Sequence, residues 1–259
     1  MRIPIYQIDA FTNEQFKGNP AAVCPLNEWI NEDLMQEIAA ENNLSETAFF
    51  VKKRDEYELR WFTPSGEIDL CGHATLASAY VICTYLDESL KSVKFNTKSG
   101  LLEVSIDGNL FTLSFPSRKG EKCDTPEELI KGLGKAPKEV YKSRDYLAVF
   151  ESEQDVLSLE LNMDELKKLD GFGVIVTAKG KEVDFVSRFF APKAGVDEDP
   201  VTGSAHCTLI PYWKNILNKN ELVALQLSAR GGKLYCTDLG EKVKMSGEAV
   251  AFLEGYINV

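Results

Sequence analysis

Arg60-Trp-Phe-Thr-Pro64, followed by Cys71-Gly-His-Ala-Thr75, returns later in the chain as Arg188-Phe-Phe-Ala-Pro192 and Thr202-Gly-Ser-Ala-His206. A third pair, Ser99-Gly-Leu-Leu102 and Gly231-Gly-Lys-Leu234, keeps the same order. Past a small insertion the offset holds at 131 to 132 residues, from Gly72 to Gly203 and from Gly100 to Gly232. Three matches in one order point to an internal duplication. The repeated module reads as a strand ending in aromatic-aromatic-x-Pro, a polar loop, and a helix opened by glycine. Residues 72–86 surround their helix axis with apolar side chains, the pattern of a buried helix. Each copy presents a helix N-terminus, whose free N–H groups and dipole attract an anion. The plainer reading is that Gly72 and Gly203 only permit tight turns.

Outward from the repeat, the chain reads as many short strands and few helices. Residues 3–11 alternate as a half-buried strand. Asn27 followed by residues 28–42 reads as a capped amphipathic helix with Leu34, Ile38 and Met35 inward. Residues 101–106 and 110–115 flank Asp107-Gly108, a hairpin signal because the turn needs positive φ. Further strands are expected at residues 146–150, 173–177, 183–190, 222–228 and 233–237. The breaker-rich stretch 117–126 marks a boundary, giving domains 1–118 and 119–259. The class expected is α+β, with curled antiparallel sheets rather than βαβ units. Pro211, deep in the second helix, is expected to bend or end it.

The length, 259 residues, fits two domains of roughly 130 residues each. With 29 basic against 40 acidic side chains the formal charge is −11, which argues against nucleic acid or an anionic membrane as partner. No run reaches the ~20 apolar residues of a membrane helix, and residues 1–9 lack signal-peptide character. Six scattered cysteines with no Cys-x-x-Cys pair, and two histidines, offer no zinc spacing. The expectation is a cytoplasmic, reduced, metal-free protein.

Gln7-Ile-Asp-Ala-Phe-Thr12, Gly18-Asn-Pro-Ala-Ala22, Leu44-Ser-Glu-Thr-Ala-Phe49, Leu70-Cys-Gly-His-Ala-Thr-Leu76 and Asp199-Pro-Val-Thr-Gly-Ser-Ala-His206 together resemble the PhzF family. That is the phenazine-biosynthesis isomerase-like branch of the diaminopimelate epimerase fold. The resemblance runs over nearly the whole chain. It implies two similar domains, each an antiparallel sheet curled into a barrel around a central helix, with the active site in the cleft between them. It also implies a C-terminal strand near 250–259 that returns to the first domain, a homodimer, and no cofactor. The implied chemistry is an isomerisation in which one carboxyl group removes a proton and redelivers it.

Matched residue by residue, that carboxylate is Glu46, supported by His73 and Asp199, with Ser45, Gly72, Gly203 and Ser204 holding a small-molecule carboxylate substrate. Glu46 lies in an otherwise apolar strand; facing inward it would be desolvated and its pKa raised, which suits acid–base work. Facing outward it is an ordinary edge-strand residue. His73, at a helix start, is expected to be neutral, or to serve only as a satisfied structural histidine. Asp199 could bind a ligand amine or hydroxyl, hold His73 in one tautomer, or tie its own turn. Ser204 could donate to a carboxylate or cap its helix. Asp69 ranks below Asp199, and His206 reads as packing.

Diaminopimelate epimerase-like enzymes use one cysteine before each helix. Here Cys71 has Thr202 as its repeat partner, and a threonine hydroxyl cannot replace a thiol as proton carrier. Two alternatives stay open: an epimerase or racemase using Cys71, and a non-catalytic small-molecule-binding protein. Ser204 and His206, two residues apart, fall on different helix faces and lack a nucleophile elbow, so hydrolysis is rejected. Gly231-Gly232 lacks the context of a phosphate loop.

Overall fold

A computed structural model describes residues 1–259. The chain divides into two units, one built from residues 1–114 and 246–259, the other from residues 115–245. Six α-helices occur: α1 (Glu32–Asn42), α2 (Gly72–Val81), α3 (Glu127–Leu133), α4 (Glu153–Leu157), α5 (Met163–Leu166) and α6 (Gly203–Leu217).

In the first unit, strand Arg2–Ala10 pairs antiparallel with Asn19–Leu26 on one side and with the C-terminal strand Ala249–Asn258 on the other. A bulge between Gln7 and Ile8 shifts the second pairing. The chain then leaves for α1 and returns as Glu46–Lys53, parallel to Asn19–Leu26 with Ala21 opposite Glu46. Strand Glu56–Thr63 turns back antiparallel to it, and after α2 the strand Ser92–Thr97 pairs parallel with Glu56–Thr63.

The second unit repeats this grammar. Tyr146–Val149 is parallel to Val174–Lys179 across α4 and α5, and Val174–Lys179 is antiparallel to Phe185–Phe190. Phe185–Phe190 is in turn parallel to Glu221–Gln226 across α6. The duplication read from three short motifs is therefore present in the strand pairing. The sheets are mixed, which corrects the expectation of antiparallel sheets without βαβ units. A helix crossing one face carries the chain back to the end it left, so the strands before and after it run the same way.

α1 begins at Glu32 rather than at residue 28. Asn31, not Asn27, is its cap, accepting the Asp33 N–H at 2.7 Å. Met35, Ile38 and Ala39 form its buried stripe, while Trp29 and Ile30, expected to be helical, pack against the same cluster. α2 buries His73, Ala74, Thr75, Leu76, Ala77, Ser78, Ala79 and Val81, and it continues into a π-turn, Ile82–Leu86, closed by Asp87 N–H to Ile82 C=O at 2.8 Å. The hairpin at Asp107-Gly108 forms, with Gly108 at φ 58° and Asp107 opposite Leu110.

Pro211 neither shortens nor ends α6, which runs unbroken through it. Proline lacks the N–H that would bond the Cys207 carbonyl four residues back. That carbonyl is claimed instead by the backbone N–H of Arg118 at 2.9 Å. Further along α6, Trp213 stacks on Phe185 with ring centroids 5.8 Å apart and donates its indole N–H to Thr177 Oγ1 at 2.9 Å. All six cysteines are free thiols, and Cys24, Cys71, Cys207 and Cys236 are buried. No helix is long and apolar enough to cross a membrane.

Candidate active site

Each unit places a cluster of polar side chains at the start of its buried helix. In the first, Glu46 opens its strand directly after the turn that carries Ser45, and Gly72 opens α2. His73 follows Gly72, is 5% exposed, and brings Nε2 to 3.0 Å from Glu46 Oε2. The two atoms make close charge contact, out of line for a conventional hydrogen bond. The other ring nitrogen, Nδ1, lies 3.2 Å from the side-chain amide of Asn19 and 3.5 Å from Cys71 Sγ.

Asn19 is delivered by Gly18, whose φ is +63°. A Cβ at Gly18 would sit 2.2 Å from the carbonyl oxygen of Ala10, so only glycine fits. Cys71 is the extended N-cap residue of α2 and provides no side-chain cap. Its carbonyl accepts the Thr75 hydroxyl at 2.5 Å.

Electrostatically, the trio Glu46, Cys71 and His73 is tightly coupled. Burial pushes the Cys71 thiol up to about 11, and the neighbouring Glu46 carboxylate adds to the rise. The thiol is therefore protonated at neutral pH. Burial pushes the His73 imidazole down, but the Cys71 sulfur and the Glu46 carboxylate push the other way and win, lifting it well above 6.5. With the thiol protonated, Glu46 is the standing partner. The expectation of a neutral His73 is thus corrected: a facing carboxylate outweighs the helix dipole. The trio's donor atoms lie within 4.8 Å of one another, a spacing a metal could use. Binding one would require both the thiol and the imidazolium to lose protons, which this environment opposes.

In the second unit the loop before α6 is tied by its own side chains. Asp199 Oδ2 accepts the Thr202 hydroxyl at 2.6 Å. Gln226 bridges the loop, donating from Nε2 to the Asp199 carbonyl at 2.8 Å and accepting the Thr202 N–H at 2.9 Å. Gly203 opens α6, and Ser204 Oγ accepts from Arg144 Nη2 at 2.9 Å. Arg144 in turn grips Asp145, which is fully buried, with Nη2 to Oδ2 at 2.8 Å. His206 Nδ1 lies 2.8 Å from the Thr202 carbonyl, so in the repeat it stands where Thr75 stands against Cys71.

Of the residues expected from the sequence, Glu46, His73, Gly72 and Ser45 gather in the first unit, and Asp199, Gly203 and Ser204 in the second. The hydrogen-bond partners missed were Asn19 on His73, Gln226 on the Asp199 loop and Arg144 on Ser204. Asn19 lay within the quoted Gly-Asn-Pro motif, but no local pattern marks Gln226 or Arg144.

The sequence profile of the PhzC-PhzF family, described as phenazine biosynthesis-like protein, matches residues 8–255. An uncharacterised isomerase of Pseudomonas aeruginosa is 48% identical over 259 residues, covering 100% of both chains. Another, from Halalkalibacterium halodurans, is 50% identical over 258 residues, covering 98% of this chain and 97% of that one. The crystal structure of a PhzF family protein from Enterococcus faecalis superposes with a TM-score of 0.98 at 47% identity, over 100% of each chain. The chain therefore belongs to the PhzC-PhzF family of phenazine biosynthesis-like proteins and is, like the curated relatives just described, an isomerase.

Proposed function

We propose that this isomerase acts without a cofactor on a small carboxylate-bearing metabolite, with Glu46 as the proton carrier. The observation that carries the reading is the buried contact of Glu46 Oε2 with His73 Nε2 at 3.0 Å, at the uncapped start of α2. Glu46 removes a proton from a carbon of the substrate and returns it to another position. His73 orients the carboxylate and balances its charge, while Asp199 binds a substrate amine or hydroxyl. Ser45, Gly72, Gly203 and Ser204 hold the substrate carboxylate. The Cys71 route is disfavoured because its thiol is held up near 11 and the hydroxyl at the partner position, Thr202, is engaged by Asp199. Assembly as a cytoplasmic homodimer belongs to the same reading, and the exposed Phe252, Leu253 and Tyr256 of the C-terminal strand are apolar surface that a dimer would cover.

The test is a metabolite extract incubated with wild type, E46Q and C71A, followed by mass spectrometry in H2O and D2O. A mass-neutral conversion lost in E46Q and kept in C71A is expected. An active, folded E46Q variant would refute the assignment, and loss of activity in C71A would favour an epimerase.

A further inference from the structure

The hydroxyl of Ser204 has a polarity fixed by its surroundings. A guanidinium group has donors only, so in the 2.9 Å contact with Arg144 Nη2 the Ser204 oxygen accepts. The hydroxyl proton must then go elsewhere. Helical serine and threonine usually spend it on the carbonyl four residues back. Ser78 does this with Ala74 at 2.7 Å, and Thr75 with Cys71 at 2.5 Å. For Ser204 that carbonyl belongs to Pro200, and it already accepts the Ser228 hydroxyl at 2.9 Å. Ser204 donates to no atom of the protein.

Arg144 is held for this task. It makes three contacts with the fully buried Asp145, Nε to each carboxylate oxygen at 3.1 Å and Nη2 to Oδ2 at 2.8 Å. Its guanidinium carbon lies 4.5 Å from the centre of the Phe172 ring, and 34% of its side chain remains exposed. A second guanidinium is close by: both Arg118 and Arg144 act on the buried Cys207 thiol, one turn along α6. Arg118 Nη1 is buried without a hydrogen-bond partner. Around the first turn of α6 stand a serine O–H, two arginines and the helix amides; the carboxylates there, Asp145 and Asp199, already accept from Arg144 and Thr202.

We propose that Arg144 is a positioning residue that turns Ser204 into a hydrogen-bond donor and makes this turn select a carboxylate over a neutral acceptor of the same shape. The inference rests on the reading above only in taking Ser204 as a substrate contact.

The probes are benzoate and benzamide, which share shape and differ in charge, titrated by calorimetry and NMR into the intact protein. Wild type is expected to bind benzoate saturably and benzamide at least ~10-fold more weakly. R144Q and S204A each erase most of that preference, and R144K retains part of it. Because R144Q leaves a buried Asp145 without its partner, R144Q/D145N is measured beside it, with both charges removed. A purely structural role would weaken both probes alike. Equal losses for the two probes, an unchanged preference in R144Q/D145N, or no saturable benzoate binding to wild type overturns the proposal. The two readings are separated by their readouts: surviving turnover in E46Q sinks the catalytic assignment, whereas the Arg144 proposal is read from probe binding alone and stands or falls on the charge preference in R144Q/D145N.

Discussion

Acidification from pH 6.5 to 5 should destabilise this protein through one residue, His206. The ring is 0% exposed and its Nδ1 lies 2.8 Å from the Thr202 carbonyl. A carbonyl only accepts, so Nδ1 carries the proton and Nε2 is the bare, buried nitrogen, with no partner. Burial pushes the pKa down to about 4. The unfolded chain takes up a proton near 6.5 and the folded chain does not until about 4, so stability present above 6.5 is lost as pH falls through that window. At roughly 1.4 kcal/mol per pH unit, the loss is about 2 kcal/mol by pH 5 and about 3 kcal/mol by pH 4. His73, the only other histidine, stays charged in the fold over this range, so it opposes the loss near pH 6.5, where the unfolded ring is still titrating, and adds no slope once pH is well below that. The carboxylates held down by partners, such as Glu67 and Asp155, start from ordinary values of 4.5 and 3.8 and act mainly below pH 5. The assay is urea unfolding followed by tryptophan fluorescence at constant ionic strength, at pH 6.5, 5.75 and 5, for wild type and H206N. Asparagine keeps a donor for the Thr202 carbonyl and does not titrate, so the variant should be less stable overall yet flat with pH. A wild-type loss below about 0.5 kcal/mol, or an equal slope in H206N, would show that the ring is not held neutral as described.

On the alkaline side His73 gives the opposite slope. Its raised pKa makes stability fall as pH climbs above 6.5, and E46Q should flatten that fall in the same unfolding measurement between pH 7 and 9. G18A places a side chain at φ +63° and 2.2 Å from the Ala10 carbonyl oxygen, so a loss of about 2–4 kcal/mol is expected by denaturant titration. The same substitution displaces Asn19 from His73, which the NMR signals of the imidazole should report; unchanged stability would mean that the turn relaxes freely.

Features carried by short-range chemistry were legible in the sequence. The hairpin at Asp107-Gly108, the buried character of α2 and the strands around residues 146–150 and 233–237 all follow from adjacent residues. Strand direction was not legible, because Glu46–Lys53 has the same alternation whether it runs parallel or antiparallel to Asn19–Leu26, and only α1 crossing the sheet decides it. The continuity of α6 was equally hidden, since the group that relieves Pro211 is the N–H of Arg118. Of the site, Glu46 and His73 were named by their motifs, and their mutual contact needed the fold. The charge of His73 was misjudged because the helix dipole is visible in the sequence while a carboxylate 27 residues earlier is visible only in space. Arg144 meets Ser204 from 60 residues away with no motif around it.

The distribution of thiols has a practical consequence. Cys24, Cys71 and Cys83 fall in the first unit and Cys123, Cys207 and Cys236 in the second, so each carries three. Burial holds Cys24 near 12 and Cys71 and Cys207 near 11, leaving almost no thiolate in the native state. Alkylating reagents can reach these sulfurs only when the surrounding segment opens. The chain thus carries a natural set of clocks, two or more in each half, from which the breathing of the halves can be timed separately without introducing a single label.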